Sequence, residues 1–332
     1  MARVVTGQIF IFLVCMSMLP ATAQPHRVQI TEAKMGSPFT ITVYSADTFY
    51  ARKQIGQILA YADSLISIFS DYDTSGEVTQ LSRYTVGHQV PVSPAMMDLL
   101  QISRRAWRSS AGMFDVTMGR VTLLWRNAMQ DQQWPDARQV KKARRSSGFR
   151  HLVLLPQQQA VLFGRPGILL NFGGIGKGYI AQKVLDSLKA LGLNMALVDA
   201  GGDLVAGDPP PGKEGWSIAI AAPDSRDEIT ENRLWLSNAS VATSGSTYRY
   251  IDHKGKRYSH IADPRSGKGV THHRQVTVLA RDGALADWMA TACSILPVEK
   301  ARKLARAQNA TLWMAEAKGN DTQWIVVPSG GL

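Results

Sequence analysis

The run Asn171-Phe172-Gly173-Gly174-Ile175-Gly176-Lys177-Gly178 is the stretch of this sequence best suited to holding a ligand. Its four glycines let the backbone turn tightly and approach a bound group closely. A helical pattern starts at Lys177, so the loop delivers a helix N-terminus. Unpaired N–H groups and the positive end of the helix dipole suit a phosphate there. Lys177 adds a point charge. Gly178 follows the lysine, so the hydroxyl that holds magnesium in a P-loop is missing. Gly176-Lys-Gly178-Tyr-Ile-Ala181 also fits G-x-G-x-x-A, with Asp199 about 20 residues on, as in a dinucleotide fold. No series of βαβ units accompanies that match. A structural glycine turn is the plainer account of an isolated motif.

Two further stretches carry chemistry. In Asp287-Trp-Met-Ala-Thr291, a carboxylate and a hydroxyl stand at i and i+4, on one face of a helix. Both are hard ligands that suit Mg²⁺ rather than Zn²⁺. A solvent-facing Asp in a first helical turn has the same signature. In Tyr258-Ser-His260-Ile-Ala-Asp263-Pro264-Arg265-Ser-Gly267, His260 stands before an Asp-Pro turn. It fits a general base, a phosphate contact or a hydrogen-bonded structural histidine. Ser244 lacks the G-x-S-x-G setting of a nucleophile elbow.

These residues need elements to hold them. Strand patterns run from Val28 into a turn at Met35-Gly36, and over Phe39–Tyr44. Helical periodicity covers Asp47–Phe69, Pro94–Ser109 (capped by Ser93), Lys177–Leu191, Ala284–Leu296 and Val298–Ala307. Further strands are expected at His151–Leu155, Ala160–Phe163, Gly167–Phe172, Met195–Val198, Trp216–Ala221, Ser240–Thr243, Tyr258–Ile261, Val276–Leu279, Ala310–Ala315 and Trp324–Val327. The basic stretch Asp131–Ser147 reads as a solvated helix with its connection. The pattern is α+β: a single compact domain with antiparallel or mixed sheets flanked by helices.

Composition narrows the class. The chain has 332 residues, 45% apolar and 19% charged, enough for a real core and against disorder. The formal charge of +11 asks for an anionic partner. The basic run Lys141-Lys142-Ala143-Arg144-Arg145 has no aromatic interleaving and no nucleic-acid motif beside it, so nucleic acid is not the expected partner. The N-terminus reads as a secretory signal: Arg3, an apolar run to Leu19, and Ala21-Thr22-Ala23 before Gln24. The strongly apolar part is too short to span a bilayer. Phe12-Leu13-Val14 before Cys15 does not suit lipidation. The expected mature chain, 24–332, is exported, unlipidated and free of a membrane span. It keeps one cysteine, Cys293, read as an inert buried thiol.

In order, eight pieces of this chain resemble the ApbE family of FAD:protein FMN transferases. They are Met35-Gly36-Ser37-Pro38-Phe39, Phe69-Ser70-Asp71-Tyr72-Asp73, Gly112-Met113-Phe114-Asp115-Val116-Thr117 and Asn171 through Tyr179. Then follow Val198-Asp199-Ala200-Gly201-Gly202-Asp203, Ala242-Thr243-Ser244-Gly245, His260 through Arg265, and Ala286-Asp287 with Thr291. The resemblance covers Gln29 to Val326 and implies an ApbE-like, T-fold-related architecture.

It also implies a reaction and a site. Such proteins bind FAD and, with Mg²⁺, move FMN onto a Thr hydroxyl of an exported flavoprotein subunit, releasing AMP. Some relatives mainly hydrolyse FAD, and a non-catalytic FAD-binding protein is a further alternative. By position, Asp287, Thr291 and the Gly174 carbonyl would hold the metal. Met35, Tyr72, Met113, Phe114 and Asp115 would contact isoalloxazine and ribityl, with Asn171, Lys177 and Ile261 lining the rest. His260 would assist the acceptor hydroxyl or hold phosphate. The chain departs from the family's usual pattern at Asn171 and Gln182, both commonly Asp, and at Ser246-Thr247, commonly acidic then aromatic. The expected location is the periplasm.

Overall fold

The computed structural model describes residues 24–221, 228–245, 249–318 and 321–328. The expected signal, 1–23, and the Ser246-Thr247 departure lie outside them.

Alternating apolar residues build the central sheet. In β2 (Ser37–Ser45), Phe39, Ile41 and Val43 are fully buried on one face, as period-two patterning requires. Its partners are β1 (His26–Lys34), β3 (Ala196–Ala200), β4 (Leu204–Ala206), β5 (Ser240–Gly245), β6 (Arg274–Ala280), β7 (Thr311–Lys318) and β8 (Asp321–Val327). The eight strands lie side by side in chain order. Every pairing is antiparallel, so of the two expected sheet types the antiparallel one is formed.

Helices fill the two long connections. Between β2 and β3 run α1 (Thr48–Phe69), α2 (Glu77–Gln80), α3 (Pro94–Ser109), α4 (Gly119–Gln130), α5 (Ala137–Arg145) and α6 (Gly176–Ala190). Between β6 and β7 run α7 (Gly283–Ile295) and α8 (Val298–Ala307). Asp47 caps α1 through Tyr50 N, Ser93 caps α3 through Met96 N, and Asp282 caps α7 through Leu285 N. The buried stripe Ala51, Ile55, Ile58, Leu59, Ala62, Leu65 and Phe69 turns α1 toward the core. On the opposite face of the sheet, Trp216 and Leu236, from the paired strands Trp216–Ala221 and Glu228–Leu236, cluster with Val241 and Ala206.

Helix α7 is apolar all round, and twelve of its thirteen residues are buried. Thr291 is the exception. The helix lies over β5 and β6 and crosses α6. At the crossing, glycine meets glycine. A Cβ built on Gly178 would stand 2.1 Å from the Gly283 carbonyl oxygen, and one on Gly283 would stand 2.2 Å from that of Gly178.

One expected strand is not formed. Gly167–Phe172 buries Ile168, Leu170 and Phe172 alternately, which is why it reads as a strand. Two backbone bonds tie it to the neighbouring segment before and at the start of α4, Gly119 N to Leu169 O and Asn171 N to Val116 O, while Ile168 N donates to the Tyr84 hydroxyl instead. Two bonds anchor an extended segment without extending a ladder.

The crossing has a direct test. Gly178→Ala forces a methyl into backbone that has nowhere to move, and overpacking of this kind costs about 1–3 kcal/mol or more. Gly56→Ala in α1 meets open space and is expected to leave stability unchanged or raise it by about 0.5–1 kcal/mol. Urea unfolding of both variants measures the contrast.

Candidate active site

The glycine loop enters α6 through Ile175 N and Gly176 N, which both donate to the Phe172 carbonyl. Asn171 braces it from the side. Its Oδ1 accepts from Gly173 N at 3.2 Å, and its Nδ2 donates to Asp71 Oδ2 at 2.9 Å. The first bond fixes the orientation of the amide, so the second is a true donor contact. Arg126 also reaches Asp71, at 2.8 Å, and its guanidinium lies 4.1 Å over the Tyr72 ring. A carboxylate at 171 would set two acceptors face to face here. The amide therefore matches its neighbour Asp71.

The helix crossing assembles the charged part of the site. Asp287 Oδ2 accepts the Gly178 N–H at 3.0 Å. One turn further along α7 stands Thr291. A Cβ on Gly174 would lie 2.7 Å from its hydroxyl and 3.3 Å from Phe114 Cε2, so the loop backbone rests against both. Lys177, in the first turn of α6, donates to Ser37 Oγ at 3.4 Å, and its Nζ would lie 3.2 Å from a Cβ on Gly201. Gly201 and Gly202 turn the chain at φ +70° and +96°, conformations that favour glycine. That turn brings in Asp203.

The Lys177 charge acts on both carboxyls without pairing directly with either among the described residues. Burial, then the charge of Asp203, pushes the Asp287 carboxyl well above the usual range; the Gly178 amide and Lys177 pull it back. Asp203 is raised to about 6, first by burial and also by Asp199, against Lys177 and the Thr243 amide. Two carboxyls that are costly to ionise without a further cation, beside a hydroxyl and loop backbone, suit a hard divalent cation. No group of three His, Cys, Asp or Glu poised for a metal occurs among the described residues.

The other expected residues surround this centre or stand apart from it. Met35 and Gly36, at φ 52° and 73°, turn β1 into β2 just before Ser37. Met113 and Phe114 are buried, the latter with its ring centroid 6.1 Å from that of Trp288. Asp115 accepts from Thr117 N, Thr117 Oγ1 and Phe149 N, so its carboxylate organises its own turn and ties that turn to Phe149. Burial raises its pKa. Tyr72 is 70% exposed at the rim, and Ile261 is buried. His260 keeps an exposed surface, with Nδ1 3.3 Å from the Arg249 carbonyl. Lost solvation, with a further push from the Arg249 charge, lowers its pKa below the usual 6.5. Among the described residues no hydrogen bond joins it to Lys177, Asp287 or Thr291.

Sequence reasoning did not single out Ser37, Asp71, Arg126 or Asp203 as site residues. Asp203 had a signal, the Gly-Gly turn after a strand. Arg126 had none, because only the fold brings α4 to Asp71.

Comparison with known proteins follows the same outline. The ApbE family model matches residues 35–314. The chain is 27% identical over 305 residues to the FAD:protein FMN transferase of Klebsiella pneumoniae, covering 90% of this chain and 87% of that one. It is 26% identical over 330 residues to the Escherichia coli K12 protein of the same name, covering 96% and 93%. The crystal structure of the apo Pseudomonas stutzeri flavinyl transferase ApbE superposes with a TM-score of 0.82 at 28% identity, covering 92% of this chain and 95% of that one. The Thermotoga maritima ApbE protein gives 0.80 at 25%, covering 90% and 96%.

The paired carboxylates set a pH dependence. Their folded pKa values lie above the unfolded ones, so the native state binds more protons than the unfolded chain between about pH 4 and 6. Metal-free protein is expected to lose stability as pH rises through that window and beyond. Asp203→Asn should flatten the decline, as read by urea unfolding at pH 5, 6, 7 and 8.

Proposed function

The chain belongs to the ApbE family, whose model spans most of its length, and from that premise we propose that it is a Mg²⁺-dependent FAD:protein FMN transferase. The observation that carries this reading is the convergence of Gly174, Lys177, Asp287 and Thr291 at one helix crossing. In this reading FAD is the substrate and a Thr hydroxyl of an exported flavoprotein subunit is the acceptor. The acceptor oxygen attacks the phosphorus of the FMN half. The pyrophosphate P–O bond breaks, AMP leaves with the bonding pair, and the hydroxyl proton passes to a base.

Each residue has a part that follows from its setting. Lys177, on the first turn of α6, adds its charge to the helix N-terminus and holds the pyrophosphate. Asp287, Thr291 and the Gly174 carbonyl would hold the magnesium ion, with Asp203 adding negative charge. Held there, a magnesium ion would supply charge neutralisation to the pyrophosphate oxygens. Met35, Met113 and Phe114 flank the flavin, with Tyr72 at the rim and Ile261 behind. Asp115 shapes the turn that carries Met113 and Phe114. Asn171 fixes the loop. His260, an exposed imidazole beside the Arg249 carbonyl, would take the acceptor proton or hold phosphate. The leader 1–23 directs the protein to the periplasm and is removed there. No helix among the described residues is long and apolar enough to cross a membrane.

The test combines protein, FAD, Mg²⁺ and an acceptor domain, and follows in-gel flavin fluorescence together with AMP. Covalent flavin with stoichiometric AMP is the expected result. Free FMN and AMP at equal rates without acceptor would identify a pyrophosphatase. FAD binding without AMP release would identify a non-catalytic binder. Asp287→Ala and metal chelation should each lower transfer by at least about 100-fold, the scale of losing a principal electrostatic group. Unchanged transfer in the variant would remove Asp287 from the site.

A further inference from the structure

Away from the flavin site, the basic stretch forms a built concavity of about 610 Å³. Arg138, Lys141, Lys142, Arg145 and Arg165 line it, together with Ser146. No carboxylate is among the lining residues. Four of the cations stand at i, i+3, i+4 and i+7 on α5, so they form one stripe. None of the five enters an ion pair among the described residues.

Helix chemistry does not account for this arrangement. Cations near the end of α5 complement the helix dipole, which explains Lys142 and Arg145. Arg138 stands in the first turn, just after the Asp136 cap, where the dipole opposes it. Like charges at i,i+3 and i,i+4 repel one another along the whole stripe. Arg165 comes from a different segment and is held in place: its Nη1 donates to the Arg145 carbonyl at 2.6 Å. The opposite face of α5 is committed to packing. Val140 and Ala143 are buried, and Val140 and Arg144 crowd Gly267. The stripe is thus fixed in orientation and, among the described residues, free of counter-charge.

We propose that this concavity is a second anion site, for a compact ligand carrying several phosphate groups, separate from the flavin pocket. Three guanidinium groups favour phosphate, which they bind bidentately. The volume falls within the range of small-ligand pockets, about 300–1,000 Å³. The phosphates are those of a soluble oligophosphate or of lipid headgroups, and the two sources share this chemistry.

The test titrates the full chain with sodium tripolyphosphate by calorimetry at low and moderate salt. Saturable binding that weakens with salt is expected, with at least a tenfold loss in Arg138→Gln/Lys141→Gln. Both side chains are exposed and no hydrogen bond holds either among the described residues, so that variant should fold; unchanged FAD binding and far-UV dichroism serve as controls. Arg165→Gln, which also removes the brace to Arg145, should lose at least as much. Co-sedimentation with phosphatidylglycerol vesicles, absent with phosphatidylcholine and lost in the double variant, would support the site with a lipid source. No binding of tripolyphosphate or vesicles, binding unchanged in both variants, or poly-glutamate binding as tightly as tripolyphosphate would overturn the proposal.

Discussion

The backbone contact between Gly178 and Gly283 is the constraint on which the rest of the site depends. Two helices cross with carbonyl oxygens where side chains would normally stand. At that separation the Gly178 amide reaches Asp287 Oδ2 across the interface. The loop before α6 then lies against Thr291, and Lys177 is carried over the β1–β2 turn toward Ser37 and Gly201. Wider spacing would leave Asp287 buried without that N–H and would open a gap between Gly174 and α7. Residues more than a hundred positions apart are brought together through backbone proximity rather than through a network of long side chains.

The crossing also creates an electrostatic tension. Asp203 and Asp287 are pressed into poorly solvated surroundings with Lys177 as their shared counter-charge. A folded protein tolerates such a pair at a cost in stability, because unpaired buried charge is expensive. The cost is coherent if a divalent cation completes the site, since the cation then meets charge already desolvated and oriented. Cys293 lies on the same helix, yet burial pushes its thiol up to about 12, so it contributes packing rather than chemistry. The Asn171 amide follows the same logic of matched neighbours: beside Asp71 a donor is needed.

Much of the fold was legible along the chain, because periodic burial writes itself into sequence locally. The stripe from Ala51 to Phe69 and the alternation of Phe39, Ile41 and Val43 each announced their element. Capping residues such as Ser93 fixed boundaries. The strands Leu204–Ala206, Glu228–Leu236 and Tyr250–His253 are not legible in the sequence, and two of the three are four residues or fewer. Gly167–Phe172 misled because alternating burial marks an extended segment, whereas a strand also needs a neighbour along its length. The basic stretch was read correctly as a solvated helix, but its concavity depends on Arg165, twenty residues beyond Arg145.

The sequence by itself determined the pieces: a glycine loop ahead of a helix, a carboxylate and hydroxyl one turn apart, and motifs whose order matches one family. These are local facts, set by residue type and spacing. Only the tertiary structure decided that the loop and the Asp287–Thr291 face meet, that Asp203 joins them, and that Asp115 serves its own turn while His260 stays bonded to Arg249. Such pairings depend on which backbones can approach, and that is a property of two surfaces at once. A sequence records each surface separately, and the distance between them exists only once the chain is packed.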